Sequence, residues 1–154
     1  MANAFTLQPL LTLAQQKNDA ATKKLGLLNR SQQSAQTKLE MLQQYRRDYQ
    51  DKLKTAEGNG MELQEIRNFQ DFIHRLDDAI IQQTAAVEHA QRSTEKGRSD
   101  LSETQRRMKS FDTLAQRHSK AEKKLEAKNE QKIQDEHNGR RAAYKNTEHR
   151  EENN

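Results

Sequence analysis

Five histidines, His74, His89, His118, His137 and His149, and 23 acidic residues are the chain's candidate metal ligands and proton carriers. A metal centre needs three or four such groups converging on one point, and acid–base chemistry needs a positioned pair. Three pairings are close in sequence. His74 and Asp77 have helical spacing, but two ligands on a solvated helix make a weak site. Glu88-His89 and Glu136-His137 are neighbours that point in different directions on a helix. The chain has no cysteine, hence no thiolate ligand, no cysteine nucleophile and no disulfide. It also lacks a glycine-rich phosphate loop and a nucleophile elbow. The expectation is a protein without catalytic residues, metal, cofactor or small-molecule substrate.

The elements that would have to position any site are helices. Only 31% of the 154 residues are hydrophobic, and Leu, Ile, Val and Phe together number 25, too few for a large packed core. Charges are nonetheless mixed, 27 basic against 23 acidic, with five Gly and one Pro, so helix formers dominate and breakers are rare. No apolar run approaches the length of about 18 residues that spans a bilayer, and no secretory signal is visible, so a soluble cytoplasmic protein is expected. The pI near 9.3 raises nucleic acid as a partner. However, Glu103, Glu122 and Glu126 interrupt the candidate phosphate contacts Arg106-Arg107-Lys109, Lys120, Lys123 and Lys124. No nucleic-acid partner is expected.

Apolar residues recur in the alternating steps of three and four that mark a coiled-coil seam. One series runs Leu7, Leu11, Ala14, Asn18, Ala21, Leu25, Leu28, Gln32, Ala35, Leu39, Leu42, Arg46, Tyr49, Leu53. A second runs from Ile66, Phe69, Ile73, Leu76 and Ile80 to Met108, Phe111 and Ala115. Between them lies Gly58-Asn59-Gly60, a turn signal near 57–60. The predicted fold is all-α, an antiparallel two-helix coiled-coil hairpin over 1–138 with helices near 6–56 and 61–138. The second helix overhangs from 116 onward, and 139–154 is expected to be a disordered tail. Thr6 can cap the first helix, and Pro9 falls in its first turn.

A hairpin centred on Asn59 sets Tyr49 against Phe69, Leu39 against Ile80, Leu28 against Ala90, Ala21 against Gly97 and Asn18 against Leu101. With Arg46 at a and Tyr49 at d, the e flank is polar throughout. The g flank carries Tyr45, Phe72 and Ala79, contiguous with Leu42, Tyr49, Leu76 and Gln83 at d. This one-sided apolar face near the turn has three readings: the half-exposed edge of a thin core, a docking surface, or the seam of a homodimer. Arg46-Arg47 beside it could pair with an acidic partner.

The collinear set Leu10, Leu25, Gly26; Leu42, Tyr45, Tyr49; the Gly58-Asn59-Gly60 turn; Phe69-Gln70 to Phe72-Ile73 with Leu76 and Ala79-Ile80; and Leu114 with Gln116-Arg117 resembles the FliJ family, soluble components of the bacterial flagellar type III export apparatus. The resemblance implies an antiparallel coiled coil similar to the rotor stalk of rotary ATPases, at the cytoplasmic side of the inner-membrane export apparatus. It further implies three classes of partner: a hexameric export ATPase ring entered by the open end, a transmembrane export gate, and export chaperones that the protein escorts. The implied gate patch is Leu42, Tyr45, Tyr49, Phe72, Leu76 and Ala79. Lys38 and Gln83 lie at its margins, where they depart from the family's glutamine and histidine. The alternative is a structural coiled-coil dimer, or a type III secretion stalk without a flagellar role.

Overall fold

The computed structural model describes residues 4–153. They form two α-helices, α1 (Gln8–Gly58) and α2 (Leu63–Glu151), and no strand among the described residues. The Gln8 amide donates to the Phe5 carbonyl at 3.1 Å, and Pro9 sits in the first turn of α1, where a missing N–H costs least.

The end of α1 is closed by backbone bonds. Met61 N donates to Ala56 O at 3.2 Å and Gly60 N to Glu57 O at 3.4 Å, with Gly60 at φ 75°. This nested pair around a left-handed glycine satisfies carbonyls that the helix leaves free. α2 begins at Leu63, with Glu65 in its first turn facing the positive end of the helix dipole. The reversal therefore centres between Gly60 and Met61, later than the expected Asn59, and both helices near it are shifted from the predicted limits.

The chain divides into two compact units, Met1–Ala14 with Arg107–Asn154, and Gln15–Arg106. In the Gln15–Arg106 unit the two helices run antiparallel along a seam of contacts. Thr104 Oγ1 lies 3.3 Å from Asn18 Oδ1, Thr94 Oγ1 lies 3.4 Å from Leu28 O, and Gln83 Nε2 donates to Ala35 O at 2.9 Å. All fourteen predicted seam positions of the first series and all fifteen of the second are buried or half-buried. Period alone thus located the packed face. The axial register differs from the expectation: Asn18 meets Thr104 rather than Leu101, and Gly97 lies against Leu25 and Leu28 rather than Ala21. The later turn centre is the cause, because it moves the partners facing Asn18 and Gly97 about one seam step, while the long Gln83 side chain still reaches back to Ala35.

In the unit formed by the chain ends, Leu11 and Ala14 are buried. The seam of α2 runs further than expected, to half-buried His118 and Glu122, because the Phe5 ring covers His118 at 5.5 Å between ring centroids. From 123 to 151 every residue is exposed, yet the helix persists past the predicted boundary at 138. In place of the expected tail over 139–154, α2 continues to Glu151; Asn154, like residues 1–3, lies outside the described residues. No described residue packs on this stretch, so local propensity is what favours helix there.

Candidate partner-docking surface

Near the turn, the g positions of both helices project from one side of the seam. Tyr45 is 49% exposed and Phe72 39%. Tyr49, one helical turn from Tyr45, is half-buried and forms the base on which Phe72 rests: the two ring centroids are 4.4 Å apart and the planes are tilted by 43°. Phe69, the partner expected for Tyr49, touches it more distantly at 6.0 Å. Lys52 Nζ stands 5.1 Å from the Tyr49 ring centroid, a cation–π distance. Tyr49, Phe69 and Phe72 thus form one ring cluster, and exposed Phe72 and Tyr45 present its outer side to water, a geometry suited to insertion into a partner pocket.

The other predicted members are placed less uniformly. Leu42 and Ala79 are half-buried beside the cluster, and Lys38 is exposed. Leu76 is only 7% exposed, so it belongs to the seam and supports the surface from beneath. Gln83 donates one amide N–H to the Ala35 carbonyl at 2.9 Å, which turns the side chain toward the seam and leaves its second N–H and its carbonyl oxygen for a partner. Arg46 is paired with Asp77 across the hairpin, and Arg47 Nη2 donates to Gln44 Oε1 at 2.8 Å. The two arginines considered for an acidic partner are therefore both engaged within the chain. Met41, 50% exposed and one turn before Tyr45, is an apolar neighbour that the seam pattern missed because it lies beyond the g flank.

In the unit formed by the chain ends a second apolar group is exposed: Leu10 and Leu13 at 45% and Leu114 at 38%. Leu10 and Leu114 both occupy g, which is the signal that could have marked them from sequence. Among the described residues no group of three or more His, Asp or Glu side chains is placed to hold a metal ion. Nor is any described helix long and apolar enough to cross a membrane. The recess beside the turn, lined by Asp51, Lys52, Thr55, Ala56, Asn59, Met61 and Glu65, is an open groove rather than an enclosed cavity.

Comparison with known proteins gives a consistent result. Residues 3–147 match the family model described as flagellar FliJ protein. A flagellar FliJ protein of Salmonella typhi is 31% identical over 136 residues, 88% of this chain and 92% of that one. The Escherichia coli (strain K12) protein of the same description is 29% identical over the same shares. Among solved structures, a Chlamydia trachomatis protein described as a YscO homolog superposes with a TM-score of 0.64 at 20% identity, covering 87% of this chain and 91% of its own. At that identity the likeness speaks for the fold alone.

Proposed function

Since the chain belongs to the flagellar FliJ family, we propose that it is a non-catalytic stalk adaptor of the flagellar type III export apparatus, joining a hexameric export ATPase to the transmembrane export gate and escorting export chaperones. The observation that carries the gate contact is the exposed Phe72, seated on Tyr49, with exposed Tyr45 one helical turn before Tyr49, at the turn end of the Gln15–Arg106 unit. Aromatic side chains held rigidly at a solvent edge lose little conformational entropy on docking and bury a large area. Leu42 and Ala79 extend that surface, with Lys38 and Gln83 at its margins and Leu76 as its support.

The ATPase contact is assigned to the other unit, where Leu10, Leu13 and Leu114 are exposed and α2 extends unaccompanied from 123 to 151. Lacking catalytic groups, the protein would act on hydrolysis through its affinity for particular ring conformations, since only differential binding shifts a conformational equilibrium. The place of work is the cytoplasmic face of the inner membrane.

The test is calorimetric titration of the purified gate's cytoplasmic domain with the wild-type chain and with Tyr45→Ala combined with Phe72→Ala, alongside motility of cells carrying each. Loss of binding and of motility by a variant that stays helical supports the reading. Wild-type binding by that variant refutes the gate assignment.

A further inference from the structure

Residues 20–39 of α1 contain Lys23, Lys24, Arg30 and Lys38 and no acidic residue, so this stretch holds a local charge equal to the +4 of the whole chain. All four side chains are exposed, and none forms an ion pair among the described residues. In their midst Leu27 is 64% exposed. Helical spacing of three and four sets Lys23, Lys24 and Arg30 around Leu27 on one surface. The same line continues at heptad intervals through exposed Ala20 on one side and Ser34 and Met41 on the other, Met41 being 50% exposed.

This line lies outside the pairing of α1 with α2. The seam uses Leu25, Leu28, Ala35 and Leu39, which are half-buried or buried, whereas Ala20, Leu27 and Met41 lie on the neighbouring face of α1. A single exposed leucine calls for no explanation. Leu27 and Met41, two heptads apart on one exposed line with only the small Ser34 between them, and a basic border without an ion pair among the described residues, make a more specific arrangement.

We infer that this face of α1 docks a third helix from another protein, an amphipathic helix whose apolar stripe is bordered by glutamate or aspartate. The stripe would pack on Leu27 and Met41 as helices pack in a coiled coil, and the acidic border would meet Lys23, Lys24, Arg30 and Lys38. Charge complementarity of this kind sets orientation and partner choice more than affinity. A second copy of the chain fits poorly, because apposing two such faces brings like cations together. An anionic bilayer fits poorly as well, since an apolar line one residue wide lacks the broad apolar face that interfacial helices bury. The face ends short of Tyr45 and shares only Lys38 and Met41 with the margin of the gate patch, and its core of Lys23, Lys24, Leu27 and Arg30 is independent of the gate assignment.

The probe is a fluorescein-labelled, stapled helical peptide of about three heptads with leucine at a and d and glutamate at e and g, titrated with the full chain and followed by anisotropy. Saturable binding is expected, weakened roughly tenfold by Leu27→Ser and by the combined Lys23→Gln, Lys24→Gln and Arg30→Gln, and falling as salt rises. These positions are exposed, so the variants should melt like wild type. The peptide with lysine at e and g should not bind, and Tyr45→Ala with Phe72→Ala should leave binding unchanged. Insensitivity to Leu27→Ser, equal binding of the lysine peptide, or loss only in the aromatic variant overturns the inference. So does a dimer in sedimentation equilibrium that Leu27→Ser dissociates, which would give the face to a second copy.

Discussion

Gly97 packs so closely on Leu28 that a β-carbon at position 97 would lie 2.7 Å from Leu28 Cδ1, with Leu25 Cδ1 at 3.5 Å. A real side chain there must displace Leu28, so the glycine is what lets the helices approach at this layer. The layer is also where Thr94 is 1% exposed, the most buried polar residue in the seam.

Two glycines with the same helical cost should therefore respond differently. Gly26 is helical, and a β-carbon at that position would meet nothing within 4 Å. Gly26→Ala should stabilise the protein by about 0.5–1 kcal/mol through helix propensity. Gly97→Ala should forfeit that gain in moving Leu28, and Gly97→Val should destabilise by about 1–3 kcal/mol through overpacking. Urea denaturation of the three variants measures this, and equal gains at 26 and 97 would refute the close packing.

Truncating the aromatic edge should differ in kind from truncating the seam. Tyr45→Ala with Phe72→Ala loses part-exposed area and the ring contact with Tyr49, about 0.5–1.5 kcal/mol for the aromatic pair beyond its area. Leu39→Ala with Ile80→Ala removes buried and half-buried seam side chains. Large-to-small changes there cost about 2–5 kcal/mol at a fully buried site. Thermal melts followed by circular dichroism rank the two, and an aromatic variant that melts at or below the seam variant would make the rings part of the core.

Arg46 sits at a seam position and pairs with Asp77, both with side chains more than a third exposed. Pairs so solvated contribute at most about 1 kcal/mol. Arg46→Leu exchanges that pair for apolar burial in the seam, and it should raise the melting temperature at physiological salt. A lower melting temperature would mean that the pair outweighs the burial.

Phe5→Ala uncovers His118 and should free the beginning of the chain. Faster amide hydrogen exchange is expected in the first turns of α1, with global denaturation shifted by less than about 1 kcal/mol, because low-stability segments open independently of the rest. Unchanged protection of residues 8–14 would show that Leu11 and Ala14 alone hold them.

Removing 123–154 deletes only exposed positions among the described residues, so the Gln15–Arg106 unit should melt as in the full chain. On the proposed function, binding to the ATPase ring should be lost with it. Retained ring binding by the truncated chain would exclude 123–151 from the contact.

Which face of each helix is packed was legible in the amino-acid order, because a seven-residue apolar period is a property of a single helix and needs no partner to be read. Every position from Leu7 to Leu53 and from Ile66 to Ala115 in the two series is withdrawn from solvent accordingly. Axial register is different: neighbouring registers in an antiparallel pair present nearly the same residue types to one another, and Gly58, Asn59 and Gly60 all suit a turn. Only the assembled turn, with Gly60 in the left-handed region and Met61 bonded to Ala56, selected the register that joins Asn18 to Thr104 and lays Gly97 on Leu28. The same holds for the candidate site. The pattern placed Tyr45 and Phe72 on one flank, but burial of Leu76, the bond from Gln83 to Ala35 and the seating of Phe72 on Tyr49 arise from distances between two helices, which no periodicity within one helix contains.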